Sequence, residues 1–555
     1  MIKYFYLLVK PYWLARGAGL AWLLLFGTIG TTLGIVWVSV QYTNWSRAFY
    51  DAMSDFFAQA SVMELAIQYA GLTAFLVLLV VCGNWLKKHL IIHWRQRMTL
   101  HYQADWLRQQ THYRMRNVDA LDNPDQRIAE DVRLLIEQSL TLFLSLLKNV
   151  SSLFSFIVIL WQISGELKFL LWGHPFIIHG YLVWVALIYS AISSVIAHRI
   201  GRPLHDLNVD KQRFEADYRA SLLQVRENSE QIAFYRGERA ELRRMNEFFS
   251  SIVRNWRSLM VREFKLDSFI TSYVRLSLML PLFAVLPMYI ARQMSLGAVM
   301  QARGAFGYVQ DAFGWFIDYY RQLVVWSATV ERLWQFHQYV ETTPPRMNRP
   351  RSGRIFHCED YSPCDAEGHP MVVPISQQLA PGDWMMITGA SGLGKTSLLR
   401  GLAGLQKRIQ GNWQLPLGKR LFISQRTYLP WERLDSLLMY PDLAAVAPER
   451  LVHALTCTGL VHLIPELGER KFWDAILSGG EQQRLILARA LVYQPVFLCM
   501  DEATSQLDES TASTLLEMLK RELPEMIVIA VSHQYGLASH FKYHWNVLPN
   551  AQAST

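Results

Sequence analysis

The polar and apolar positions of this chain fall into two regimes. From Gly17 to Ser46 the sequence runs 30 residues without an Asp, Glu, Lys or Arg. About 20 apolar residues at ~1.5 Å rise suffice to cross a ~30 Å hydrocarbon core, so this stretch predicts a membrane-spanning helix. It is too long for the apolar core of a signal peptide and no small-residue cleavage site follows it, which predicts a retained anchor. Further apolar runs predict spans at 65–86, 149–165, 176–197, 268–291 (interrupted by Arg275) and 304–330 (interrupted by Asp311, Asp318 and Arg321). The long segments 87–138 and 198–267 are rich in Leu, Arg, Gln and Glu and poor in Gly and Pro, which predicts helices continuing beyond the membrane. The pattern breaks at Thr342-Thr343-Pro344-Pro345 and Arg349-Pro350-Arg351-Ser352-Gly353, a basic, Pro-bearing linker. Beyond it, short β-type runs (384–388, 496–500, 526–531) alternate with helical stretches, which predicts an α/β domain on a largely parallel sheet. The expected organisation is a six-helix transmembrane domain over 1–340, a linker over 341–353, an α/β domain over 354–549 and a short tail over 550–555.

Charge assigns an orientation. The net charge is +8. Residues 341–555 carry 20 Lys+Arg and 21 Asp+Glu, so the whole excess, 34 against 25, lies in the apolar half. Dispersed positive charge in an apolar half follows membrane topology rather than a nucleic-acid groove. With the N-terminus inside, the segments assigned to the inner side hold 26 Lys+Arg against 4 in the segments 41–64, 166–175 and 292–303 assigned to the outer side. The five cysteines (Cys82, Cys358, Cys364, Cys457, Cys499) lack CxxC or metal-type spacing, so no disulfide framework or zinc site follows from them.

The chemistry is concentrated in the C-terminal half. Gly389-Ala390-Ser391-Gly392-Leu393-Gly394-Lys395-Thr396 follows an apolar run and opens a helical stretch, the context a phosphate-binding P-loop needs. Glycines let backbone N–H groups turn toward phosphate oxygens, Lys395 brings a point charge to the β/γ-phosphates, and Thr396 offers a hydroxyl to Mg²⁺. The apolar run Val496–Met500 ends in Asp501 and Glu502, a metal-holding carboxylate followed by a candidate base for the attacking water. Upstream lies Leu477-Ser478-Gly479-Gly480-Glu481-Gln482-Gln483-Arg484. This octet resembles the signature of ATP-binding cassette (ABC) ATPases. The resemblance implies ATP contacts by Ser478, Gly479, Gly480 and Glu481, a Q-loop at Gln425 that also serves Mg²⁺, a D-loop at Ser505-Gln506-Leu507-Asp508, and a switch histidine at His533. The adenine-stacking aromatic of that family is not plain here; the position that aligns with it is Asp365, and Tyr361 is the candidate.

The membrane half has its own resemblance. The stretches Asn123–Asp131, Glu230–Glu238 and Gly314–Tyr320 are similar to those of SbmA/BacA-like transporters with fused ATPases, of the YddA-type branch, relatives of the peroxisomal ABCD half-transporters. The implied fold is an α-helical membrane domain of exporter type fused to an α/β P-loop ATPase. In that family the signature of one chain covers the nucleotide held by the other. The resemblance thus implies an ATP- and Mg²⁺-dependent homodimer in the bacterial inner membrane, with the N-terminus and the ATPase in the cytoplasm. It moves a solute, peptide or lipid-like substrate and takes no nucleic-acid partner. An ATP-gated channel or membrane-anchored regulatory ATPase is the alternative; degenerate catalytic motifs would favour it, and Glu502, Gly480 and His533 are intact. Asp311 and Asp318, seven apart and on one helical face, either line a hydrated path with Arg275 and Arg321 or form helix-packing ion pairs.

Overall fold

The computed structural model describes residues 1–54, 59–115, 123–171, 174–342, 351–365, 367–406, 408–442 and 444–550. Two compact units are present, Met1–Thr343 and Pro344–Thr555. Residues 343–350 of the expected linker, 551–555 of the tail and the side chain of Arg321 lie outside the described residues.

The first unit is built of long helices: α1 (Ile2–Trp13), α2 (Gly19–Ser54), α3 (Gln59–Leu107), α4 (Val132–Ile163), α5 (Tyr181–Glu227), α6 (Glu238–Ile290) and α7 (Leu296–Thr342). Among the described residues, five helical stretches are long and apolar enough to cross a membrane: Gly19–Ser54, Val62–Leu107, Pro124–Ile163, Tyr181–Glu227 and Glu238–Ile290. Helix α7 occupies the place expected of the sixth span but is not among them; it carries Arg303, Asp311, Asp318 and Arg321. The fourth span also starts later than expected. Glu166–Leu171 pairs antiparallel with His174–His179, so residues 176–179 belong to a hairpin, and Gly180, at φ +67°, turns the chain into α5.

Polar side chains tie these helices together where apolar packing alone would leave donors unpaired. Trp315 and Trp326 of α7 donate their indole N–H groups to Ser145 and Ser139 of α4 at 2.9 and 2.7 Å. Gln301 donates to Asn44 of α2 at 2.8 Å. The stretch Asn123–Asp131 forms a short helix, Pro124–Gln126, followed by a π-helical turn, Arg127–Asp131. That turn carries Asp131 inward, where its buried carboxylate accepts from Arg127 at 2.9 Å and from two nitrogens of Arg332 of α7 at 2.9 and 2.6 Å. Glu230–Glu238 spans the end of a helix, Ser229–Tyr235, the left-handed Arg236 and the start of α6. Arg275, Asp311 and Asp318 are exposed in the single chain.

The second unit is organised by a five-stranded parallel sheet of β1 (Trp384–Thr388), β2 (Arg420–Ile423), β3 (Phe497–Asp501), β4 (Ile527–Val531) and β5 (Tyr543–Asn546), in the order β5-β1-β4-β3-β2. Both faces are buried, which explains the unbroken apolar runs. Trp384 and Met386 of β1, Leu498 and Met500 of β3, and Val528 and Ala530 of β4 pack on one side. Met385, Ile387, Phe497, Cys499, Ile527 and Ile529 pack on the other. Helices α8 (Lys395–Leu402), α9 (Pro448–Cys457), α10 (Gly479–Tyr493) and α11 (Glu509–Glu522) belong to this unit. A second, four-stranded sheet includes Arg351–Gly353, Phe356–Pro363, Ile375–Leu379 and Ile409–Pro416, so the last three residues of the expected linker form an edge strand.

Candidate functional site

In an open parallel sheet, functional loops emerge at the carboxyl ends of the strands. Here four neighbouring strands deliver the expected residues in spatial order: the P-loop after β1, His533 after β4, Asp501 and Glu502 at the end of β3, and Gln425 after β2.

The P-loop turns on its glycines. Gly389, Gly392 and Gly394 have φ of +145°, +85° and +88°, conformations in which a side chain would be strained. At Gly389 a Cβ would also stand 3.0 Å from the Val547 carbonyl oxygen. Lys395 opens α8 and curls back, its ammonium donating to the carbonyls of Gly389 and Ala390 at 2.7 and 2.9 Å. Its neighbour Thr396 hydrogen-bonds the Asp501 carboxylate. Burial pushes Asp501 above the usual carboxylate range, with Thr396 acting against the shift. A hydroxyl and a desolvated carboxylate that gains from a nearby cation are a donor set suited to a hard divalent ion such as Mg²⁺.

Glu502 begins the turn after β3 with φ +53°, a left-handed conformation uncommon for Glu. Its backbone N–H is held by the Val531 carbonyl at 3.0 Å. Its carboxylate lies between two side chains: Gln425 Nε2 donates to Oε2 at 3.0 Å, and His533 Nε2 lies 3.4 Å from Oε1. Because Gln425 spends its amide N–H on Glu502, its carbonyl oxygen is left for a cation.

The signature opens α10. Ser478 is the N-cap in a capping box, its N–H and hydroxyl donating to Glu481 Oε2 at 2.9 and 2.7 Å while its oxygen accepts from the Glu481 N–H. These bonds hold Glu481 below its ordinary pKa, and His462 lies 3.2 Å from its other oxygen. A Cβ at Gly479 would fall 1.6 Å from Gln506 Oε1, so that side chain would have to swing aside. Asp508 caps α11, accepting from the Thr511 N–H at 2.9 Å and from the Ser510 hydroxyl.

Tyr361 requires a correction. Its ring is 1% exposed and packs against Trp413, and its hydroxyl donates to the Leu398 carbonyl of α8 at 2.8 Å. A fully buried ring has no face to offer adenine; Tyr361 is a support beneath the P-loop helix. Sequence reasoning also missed three glutamines. Gln483 joins α10 to the turn after β3, donating to Ser505 at 3.2 Å and accepting from the Gln506 N–H at 2.9 Å. Gln534, beside His533, accepts from Thr504 at 3.0 Å and donates to the Leu507 carbonyl at 2.8 Å. Gln482 accepts from Thr427 at 2.7 Å, linking α10 to the loop that carries Gln425. Gln482 and Gln483 were visible as part of the signature octet; Gln534 had no signal beyond its position.

Comparison with known proteins identifies the family. Residues 6–289 match the family model described as ABC transporter transmembrane region 2, and residues 372–505 match the model described as ABC transporter. The chain is 32% identical over 541 residues to the inner membrane ABC transporter ATP-binding protein YddA of Escherichia coli, covering 97% of this chain and 96% of that one. It is 28% identical over 627 residues to the chloroplastic ABC transporter D family member 2 of Arabidopsis thaliana, covering 98% and 85%. It is 26% identical over 529 residues to the human lysosomal cobalamin transporter ABCD4, covering 86% and 84%. With a membrane region and a nucleotide-binding ATPase fused in one polypeptide, the chain belongs to the ABC transporters of half-transporter type and couples ATP hydrolysis to transport.

Proposed function

We propose that this half-transporter works as a homodimer in the bacterial inner membrane, with its N-terminus, long inner helical extensions and ATPase unit in the cytoplasm. The distribution of Lys and Arg, 26 against 4, supports that orientation. Each chain has one P-loop and one signature, so two composite sites form when Ser478 and Gly480 of the partner subunit meet the γ-phosphate held at residues 389–396. Ser391, Leu393 and their neighbours cradle the phosphates with backbone N–H groups, and Lys395 leaves its loop carbonyls for the β/γ-oxygens. Thr396, Asp501 and Gln425 would hold Mg²⁺, which when bound neutralises phosphate charge. Glu502 accepts the proton of the attacking water, Gln425 and His533 keep its carboxylate aimed, and Asp508 stands in the D-loop at the dimer interface. The observation that carries this reading is the Glu502 carboxylate, gripped at one oxygen by Gln425 and facing His533 at the other. The segments 123–131 and 230–238 relay closure of the ATPase pair to the membrane helices.

The composite site is tested by mixing chains. A Lys395→Ala chain and a Ser478→Arg chain should each be inactive as homodimers, whereas their verified heterodimer keeps one intact P-loop opposite one intact signature and recovers hydrolysis. A folded heterodimer without recovery would remove the shared-site reading.

A further inference from the structure

The ATPase unit carries a second convergence of ligand-type side chains, on residues the nucleotide site does not use. His453 and Cys457 lie four apart on α9 and therefore on one face. Glu522 is the last residue of α11. Their donor atoms, one imidazole nitrogen, one sulfur and one carboxylate oxygen, all lie within 4.8 Å of one another. His453 Nε2 is 3.1 Å from Glu522 Oε2, and Cys457 Sγ is 3.5 Å from the same nitrogen. A tetrahedral zinc centre with bonds of ~2.0–2.2 Å to N and O and ~2.3 Å to S has N···O edges of roughly 3.4 Å and S···N edges of roughly 3.6 Å. The side chains already stand close to those separations. The thiol also lies 3.9 Å from Nδ1; the i,i+4 spacing on α9 brings it to the ring, and Glu522 brings the third donor from a separate helix.

We propose that His453, Cys457 and Glu522 form a binding site for a thiophilic divalent cation of the Zn²⁺ class, with water in the fourth position. The N, S and O donors match the borderline-soft character of that ion rather than Mg²⁺ or Ca²⁺. Both Cys457 and Glu522 close their helices, where the backbone dipole favours positive charge. Arg521 lies 3.5 Å from the second oxygen of Glu522, an outer contact that fixes the carboxylate. Binding releases the Cys457 thiol proton to solvent and requires the lone pair of His453 on Nε2, leaving its proton on Nδ1. The bound ion would staple α9 to α11.

The test uses the full chain in detergent, nucleotide-free and stripped with chelator, titrated with Co²⁺ as a spectroscopic substitute. One Co²⁺ per chain should bind with a sulfur-to-metal charge-transfer band, and Zn²⁺ should displace it. Cys457→Ser should abolish the band, His453→Ala and Glu522→Gln should weaken binding about tenfold or more, and Cys82→Ser should change nothing. ATP hydrolysis by Cys457→Ser verifies its fold. Absence of the band in the wild-type chain, or a band that survives Cys457→Ser, overturns the site.

Discussion

Glu502 in the ATPase unit and Asp131 in the membrane unit are both carboxylates held by two side chains, yet they are held differently. Glu502 is partly open to solvent, at 23% side-chain exposure, and meets Gln425 and the ring of His533 through single contacts of 3.0 and 3.4 Å. Asp131, at 3%, receives three charge-assisted hydrogen bonds of 2.6–2.9 Å from two guanidinium groups. Short bonds to permanent charges in a buried setting make a lock, because removing one partner leaves an uncompensated charge. Looser contacts beside an accessible surface leave a carboxylate aimed but available. Under the proposed function, the contrast separates an acid placed for chemistry from an acid placed for rigidity.

Substitution should expose this difference. The largest effect is expected at Glu502: Glu502→Gln keeps the shape and the Gln425 contact but loses the base, so turnover should fall by about 10²–10⁴-fold while nucleotide affinity is retained. Hydrolysis above half of wild type in a steady-state assay would contradict that role. Next is Asp131→Ala, expected to destabilise the membrane unit by about 3–5 kcal/mol, whereas Asp311→Asn and Asp318→Asn, both exposed, should leave stability nearly unchanged. Thermal unfolding of the three variants in one detergent orders them, and equal melting temperatures would end the comparison. The smallest effect is expected at Asp508. Its bonds to Ser510 and to the Thr511 backbone lower it from 3.8 to about 2. A folded-state value depressed below the unfolded one adds stability that is present above about pH 4 and lost as pH falls through about 2. Asp508→Asn should flatten that acid dependence, and an unchanged profile from pH 4 to 2 would dissociate the cap from stability.

The features legible in the sequence were contiguous. The octet 477–484, the P-loop and the Asp501–Glu502 pair are short motifs next to strongly apolar strands, and Gln425 and His533 follow strands of the same parallel sheet. What escaped depends on register or on pairs distant in sequence. Phe356 and Cys358 point inward, but a register shift between Cys358 and Tyr361 exposes both Glu359 and Asp360 and turns Tyr361 into the core. Strict alternation would have put Tyr361 outside, where an adenine contact was plausible. Asp131 and Arg332 are 201 residues apart, and the His453–Glu522 contact spans 69. No local pattern encodes such meetings. The apolar runs located the long helices and the charges that interrupt α7, while the hairpin before α5 came from structure.

The left-handed backbone at Glu502 means that its most useful side chain sits where glycine would rest more comfortably. Such a conformation costs a non-glycine residue on the order of 1 kcal/mol, and here it is upheld by the bond to Val531. Glycine at position 502 would relieve that strain but add unfolded-state entropy of similar size, so stability alone sets little preference there. On the proposed role, what a glycine there would forfeit is the base, so the position's worth lies in turnover rather than in folding.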